Sequence, residues 1–239
     1  MKPDTVEIGA APRKGKMTRS DDENSPSILI VDPDRFRREG LAAILRMRWP
    51  AVRCGFASSY RAALDMLEKE KWKLVVTDLN ISGRGGLDLV SKINEEKKIS
   101  TLLISGEPEE IYGLRALRNG SAGYLRRELP PEVITEAIAA VLSGGRYVSD
   151  QLAQKLAGQF DPYENEESIP FDALSDREFQ VLRSIADGQC IKEIAASLSL
   201  SSKTVSTYRV RTLAKLGLKS DAELVKYCLE HGLTGGGSR

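Results

Sequence analysis

Histidine and cysteine are scarce in this chain of 239 residues. One histidine, His231, and three cysteines, Cys54, Cys190 and Cys228, stand far apart, with no Cys-x-x-Cys pair. That usage excludes a disulfide framework and a His/Cys zinc site, and it fits a reducing, cytoplasmic compartment. No apolar run approaches the ~20 residues of a membrane span, so no membrane partner is expected. The first 25 residues carry charges throughout and lack the apolar centre of a secretory signal. Net charge is nearly absent too, at +1, so any nucleic-acid signal must be local. A Gly-rich phosphate loop is also missing where a nucleotide-binding enzyme would carry one, because Val31-Asp-Pro-Asp-Arg35 stands after the first apolar run. The chain is therefore not expected to be an enzyme.

What is present divides by composition. Apolar residues make up 41%, enough for ordinary cores. Residues 1–26, charged and rich in small side chains, predict a disordered extension. Residues 147–172 carry six acids and one base and predict an acidic linker, with a short helix over 150–157 and a flexible tether after it. Residues 173–239 carry ten bases and seven acids, and the glycine-rich end over 235–239 predicts a loose tail.

Between residues 27 and 146, short apolar runs alternate five times with helical patterns. The runs are Ser27-Ile-Leu-Ile-Val-Asp32, Val52 to Ala57, Leu74-Val-Val-Thr-Asp78, Thr101 to Ser105, and Gly123-Tyr-Leu-Arg126. The first helical pattern has Phe36, Leu41, Leu45 and Met47 as its apolar positions and ends near Trp49-Pro50. This alternation predicts an α/β domain with a five-stranded parallel sheet. In such sheets, sites form beyond the carboxyl ends of the strands. Asp32, Asp78, Ser105, Arg126 and Arg127 all fall there. Two carboxylates, a hydroxyl and a cation on one edge suit Mg²⁺ and a phosphoryl group on a carboxylate. The alternative is that both aspartates only end strands as turn residues.

Residues 173–234 predict an all-α domain of four short helices. Ser175 and Glu178 form a capping box, with Leu174 and Phe179 as a hydrophobic staple. A helix over 191–198, a turn at Ser199-Leu200-Ser201 and a second helix over 202–216 follow. From Lys203 to Lys219 there are five basic residues and no acidic one. A short helix, a tight turn and a longer cationic helix form the unit that sets a recognition helix into the major groove of DNA. Val205, Tyr208, Thr212, Leu213 and Leu216 recur at helical spacing and are expected to face the core. Lys203, Ser206, Thr207, Val210 and Arg211 are expected to face outward. Ser220 and Glu223 open the last helix, which presents Leu224, Val225, Tyr227 and Cys228.

Residues 27–146 resemble the receiver domain of two-component response regulators, whose fold is flavodoxin-like. The resemblance makes Asp78 the phospho-accepting aspartate and Asp32 one of the acids that bind Mg²⁺. It makes Asn80 the backbone metal ligand, Ser105 the hydroxyl on the phosphoryl oxygen, and Tyr124 the switch aromatic. Gly86 matches the glycine that opens the third helix. Three positions depart from the pattern. The second acid of the pair falls on Pro33, with Asp34 one place further on. The strand-five lysine falls on Arg127, which keeps the charge but not the geometry, and the proline after the phospho-acceptor loop is Ser82. Mg²⁺ demands near-octahedral oxygen coordination, so the loss at Pro33 implies weak or absent Mg²⁺. The alternative is a degenerate pseudo-receiver, controlled by a ligand, a partner or dimerisation without phosphorylation.

Residues 174–232 resemble the LuxR-type helix-turn-helix domain of the NarL/FixJ family, through Leu174, Arg177, Glu178, Gly188, Lys192, Glu193, Ile194, Ala195, Ser201, Lys203, Thr204, Val205, Lys215 and Leu216 among others. The resemblance implies a DNA-binding transcriptional regulator. Ser206, Thr207 and Val210 then take base-facing positions. Lys203, Arg209, Arg211, Lys215 and Lys192 are candidates for phosphate contacts, and Thr204 lies in the same interface. Part of the face of the last helix is implied as the dimer contact; the alternative is that these residues only complete the four-helix core, and both readings can hold in part. The implied partners are double-stranded DNA with two half-sites, a second copy of the chain, a sensor histidine kinase and RNA polymerase. The family picture also implies that the unphosphorylated receiver masks the recognition helix.

Overall fold

The computed structural model describes residues 25–158 and 170–233. Most of the expected N-terminal extension, the centre of the acidic linker and the tail lie outside the described residues. The first unit runs β1 (Ser27–Val31), α1 (Arg35–Arg48), β2 (Arg53–Ala57), α2 (Tyr60–Lys69), β3 (Leu74–Thr77), α3 (Gly86–Glu96), β4 (Ser100–Ser105), α4 (Glu109–Arg118), β5 (Tyr124–Arg126) and α5 (Pro131–Leu142). The sheet order is β2-β1-β3-β4-β5, and every pairing is parallel.

Successive side chains of a strand point to opposite faces. In β1, Ile28 and Ile30 therefore join α1 and α5 in one core, while Leu29 and Val31 join α2 and α3 in another. That is why the strands read as continuous apolar runs rather than as alternation. Asp32 accordingly leaves the edge of β1 beside Asp78, because β1 and β3 are neighbours in register, Val31 opposite Thr77.

The apolar positions of the first helix do not share one face. Leu45 and Ala42 are fully buried, but Phe36 and Met47 are 88% and 85% exposed. At about 100° per residue, positions nine before and two after Leu45 fall on the far side of a helix. Spacing to the buried leucine therefore outweighs apolar character.

The expected linker helix is α6 (Asp150–Gly158), and it is not free of the receiver. Its Leu152 is buried against Gly113 of α4. Ser149 donates to Glu109 Oε2 at 2.8 Å, and Tyr147 N–H donates to Ala122 at 2.9 Å. Chain order resumes with a 3-10 turn at Pro170–Ala173.

The second unit holds α7 (Asp176–Ala186), α8 (Ile191–Ser197), α9 (Ser202–Leu216) and α10 (Asp221–Glu230). Side chains at the helix starts meet the unpaired amides there. Ser175 accepts from Glu178 N–H while Glu178 accepts from Ser175 N–H. Ser201 caps α9 through Thr204 N–H at 3.0 Å, and Ser220 caps α10 through Glu223 N–H at 3.2 Å. Gly217 stops α9 in the left-handed region, φ 67°, where only glycine is unstrained. Phe179, Leu182, Ile194, Val205, Leu213, Leu224 and Cys228 fill the core between the helices. That core continues into the receiver through Tyr112, Leu87 and Leu79. Among the described residues, no helix is long and apolar enough to cross a membrane.

Candidate functional site

Asp32 and Asp78 meet where the sheet topology places them, 8% and 3% exposed. The Asn80 amide donates to Asp78 Oδ1 at 2.6 Å, and the Arg127 guanidinium pairs with Oδ2. Burial pushes the Asp78 carboxyl above the ordinary aspartate value, and the Asn80 amide and Arg127 pull it part of the way back. Gly86 is required by this loop, because a Cβ there would stand 2.2 Å from the Asp78 carbonyl oxygen. Sequence matching alone had singled that glycine out; the close approach is its physical reason.

The donor set does not fit a divalent cation. Pro33 offers no carboxylate. Asp34, the acid next along, is the N-cap of α1, where its Oδ1 accepts from Phe36 N–H at 2.7 Å and Arg37 N–H at 3.3 Å. Asp34 is therefore a helix cap and not a ligand. Asp32 Oδ1 accepts from Asp34 N–H at 2.7 Å and from Arg37 Nε at 3.0 Å. Among the described residues, no cluster of three His, Cys, Asp or Glu side chains could hold a metal ion.

Ser105 is fully buried and its hydroxyl meets Glu107 N–H at 3.4 Å. Tyr124 is also fully buried, its phenol donating to the Glu107 carbonyl at 2.8 Å. Burial pushes that phenol far above the ordinary tyrosine value. Arg126, expected at the same edge, turns out to solvent and pairs with Glu128 at 3.3 Å.

Glu107, which sequence reasoning missed, joins the two units. Its Oε1 accepts from Asn80 Nδ2 at 2.9 Å and its Oε2 from Arg183 of α7 at 2.7 Å. Arg183 also donates to the Tyr112 hydroxyl. Arg177 of α7 pairs with Asp88 of α3 at 3.1 Å. Arg115, 5% exposed, donates to the Phe171 and Leu174 carbonyls at 2.6 and 3.0 Å and reaches Asp176 at 3.2 Å. Its guanidinium lies 4.2 Å from the ring centroid of Phe179. Nothing in the local sequence of Glu107, Arg115 or Arg183 signals a partner some 56 to 76 positions away.

The outer face of α9 matches its expectation. Lys203, Ser206, Thr207, Val210 and Arg211 are exposed, while Val205, Thr212 and Leu213 are buried. Lys192 of α8 is exposed as well. The receiver rests on α7, so the masking implied by the family picture is not the arrangement here. Five expected DNA residues have a side-chain partner inside the domain. The Ser206 and Thr207 hydroxyls donate to the Ser202 and Lys203 carbonyls of their own helix at 2.9 and 3.0 Å. Lys215 pairs with Glu178 at 2.7 Å, Arg209 pairs with Asp221 at 2.6 Å, and the Thr204 hydroxyl bonds the Ser201 cap at 2.8 Å. Burial pushes Glu178 up, but Lys215 and the Ser175 amide and hydroxyl outweigh it and hold the carboxyl below the ordinary glutamate value.

The last helix divides between the two readings. Leu224 and Cys228 are fully buried in the domain's own core and cannot touch a second copy. Burial pushes the Cys228 thiol up to about 11. Val225 is half-buried, Tyr227 stacks on His231 at 4.0 Å, and the outward apolar residue of α10 is Leu229, 63% exposed.

Comparison with known proteins follows the same division. Residues 28–139 match the response regulator receiver domain, and residues 172–228 match bacterial regulatory proteins of the luxR family. The response regulator UvrY of Escherichia coli is 32% identical over 209 residues, covering 87% of this chain and 95% of that protein. The response regulator GacA of Pseudomonas aeruginosa is 33% identical over 208 residues, covering 86% and 96%. Among solved structures, RcsB of Salmonella typhimurium aligns with a TM-score of 0.65 at 23% identity, over 87% of this chain and 98% of that one. RcsB bound to promoter rprA in the presence of phosphomimetic BeF3⁻ aligns at 0.63 and 22%, over 85% and 98%.

Proposed function

The chain belongs to the two-component response regulators with a LuxR-type helix-turn-helix domain, a family of DNA-binding transcriptional regulators, and on that premise we propose that Asp78 is its phospho-acceptor and the outer face of α9 its DNA-reading surface. Lys203, Arg211 and Lys192 hold DNA phosphates. Ser206, Thr207 and Val210 face the bases, where hydroxyls bond base edges and valine meets thymine methyls. Two copies on DNA read two half-sites, with Val225 and Leu229 of α10 in the contact between them. RcsB, which shares the fold, occurs as dimers on DNA, and this supports the same arrangement here. A sensor histidine kinase supplies the phosphoryl group, and RNA polymerase is the downstream partner.

Glu107 is the observation that carries the control mechanism. One side chain and its carbonyl touch the Asn80 loop, the Tyr124 hydroxyl and Arg183 of the output domain. A phosphoryl group on Asp78 adds negative charge at the Asn80 loop, whose backbone amide already bonds Asp78 and whose side-chain amide holds Glu107. The Asn80 side chain turns toward it, Glu107 loses that partner, and the Arg183 contact weakens. The equilibrium then shifts toward separated domains, provided the phosphoryl group binds that state better. Nuclease footprinting on promoter DNA, with and without acetyl phosphate, tests this. Protection should strengthen with the phosphodonor in the native chain and not in Asp78→Ala. Equal protection in all four reactions would remove phosphorylation from the account. Thr207→Ala should change the preference between promoter sites by about 1–3 kcal/mol.

A further inference from the structure

The acidic pocket contains its own cation. Arg37 sits in the first turn of α1, and both Nε and Nη2 reach Asp32 Oδ1, at 3.0 and 2.9 Å. Its place is set by Asp34, which caps α1 through the amides of Phe36 and Arg37. Arg37, Arg127, Asp32 and Asp78 line one cavity of about 230 Å³. The guanidinium of Arg37 also acts on Asp78, lowering the cost of its negative charge. Asp32 and Asp78 are thus each paired with a guanidinium without a bound ion, and the helix-capping Asp34 lies 3.8 Å from Arg37 as well. A divalent ion would find only Asp32 and Asp78 as carboxylate ligands, both already paired with an arginine.

We propose that Arg37 takes the place of the divalent metal in this pocket, so that Asp78 accepts a phosphoryl group between two guanidiniums. The proposal rests on Asp78 being the phospho-acceptor. With an acyl phosphate as donor, an Asp78 carboxylate oxygen bonds to phosphorus while the donor's acyl O–P bond breaks. The donor's carboxylate leaves with the electron pair, and no proton is transferred. The planar forks of Arg37 and Arg127 match the phosphoryl oxygens, a task for which guanidinium suits better than a point charge. Asp32 then serves to aim Arg37 rather than to bind metal. The residue pattern agrees with this division: the family's second acid is absent at Pro33, and the next acid is committed to the helix that carries Arg37.

Two readouts on the full chain decide it. The first is Mn²⁺ binding, followed by water-proton relaxation. The native protein should show none at millimolar metal, and the double variant Pro33→Asp, Arg37→Ala should gain it. Equal Mn²⁺ binding by native and Arg37→Ala protein would overturn the proposal. The second is intact mass after acetyl phosphate, with EDTA or with Mg²⁺. Native protein should gain one phosphoryl group at the same rate in both. Arg37→Ala should slow by about 100-fold in EDTA, the usual loss on removing a positioned electrostatic group. Arg37→Lys should recover part of the rate, and Mg²⁺ should stimulate Arg37→Ala alone. A purely structural role for Arg37 would not create metal dependence. An adduct that forms on native protein only with Mg²⁺ overturns the metal-free pocket but leaves Asp78 as acceptor. No adduct under either condition removes Asp78 as acceptor and the proposal's transfer step with it, and the Mn²⁺ readout then decides whether Arg37 excludes metal.

Discussion

The arginines of the receiver and interface contrast with the cations of α9. Arg37, Arg115, Arg127 and Arg183 each meet a carboxylate of the same chain, across 5 to 76 residues of sequence. Lys203 and Arg211 stand exposed, without an ion pair among the described residues. The difference separates two uses of positive charge. A guanidinium that is desolvated must be matched within the fold, because an unmatched buried charge is far too costly. A cation left in water keeps its hydration and can exchange it for a DNA phosphate, releasing counterions. Arg209 and Lys215 lie on the recognition helix and remain partly in water, yet each already has a carboxylate partner, Asp221 and Glu178.

Four measurements would break or sharpen that contrast, in falling order of effect. Arg115→Ala should lower the unfolding free energy by about 3 kcal/mol, because it strands two carbonyls and Asp176 at the domain junction. Urea denaturation measures this, and a loss below about 1 kcal/mol would class Arg115 with the solvated cations. Glu178→Gln should cost roughly 1–2 kcal/mol at neutral pH. Its carboxyl is held below the ordinary value, so the native advantage is full above about pH 4.3 and fades as pH falls through the lower folded value. Thermal melts of both proteins across that window give the sign. An advantage that grew on acidification would contradict the pairing with Lys215.

Ser201→Ala should cost about 1 kcal/mol by uncapping α9, with the helix ending where it does now at Gly217. Differential scanning calorimetry detects that shift, and an unchanged Tm would mean that Thr204 supplies the cap. The finest comparison is between two lysines of one helix. Lys203→Ala should flatten the slope of log K against log salt by about 0.9, the value of one phosphate contact. Lys215→Ala should leave the slope nearly unchanged and lower stability instead. Fluorescence anisotropy on promoter DNA separates them, and equal slope changes would dissolve the distinction drawn here.

Much of the molecule was legible in order along the chain. The bounds of α9, its Ser201 cap and its buried Val205, Thr212 and Leu213 follow from 3.6-residue spacing. The five strands follow from apolar runs, and Asp32, Asp78 and Ser105 follow from where parallel strands end. Phe36 and Met47 are apolar yet exposed, so hydrophobicity without helical phase does not locate the core face of α1. Leu224 and Cys228 fall on the core side of an alternative that the sequence leaves open, because an apolar helix face does not say whether its own domain or a second copy covers it. Asp34 reads equally as a ligand or a cap until its carboxylate is seen on the amides of Phe36 and Arg37.

Fold class, the order of the two units and the recognition helix are all readable along the chain, because period, capping and strand-end chemistry are local properties. Only the tertiary structure decided which charges meet. It placed Arg37 on Asp32, Arg183 on Glu107 and Lys215 on Glu178. Those pairings depend on how elements pack, and a desolvated charge selects its partner by distance in space, which spacing along one chain does not encode.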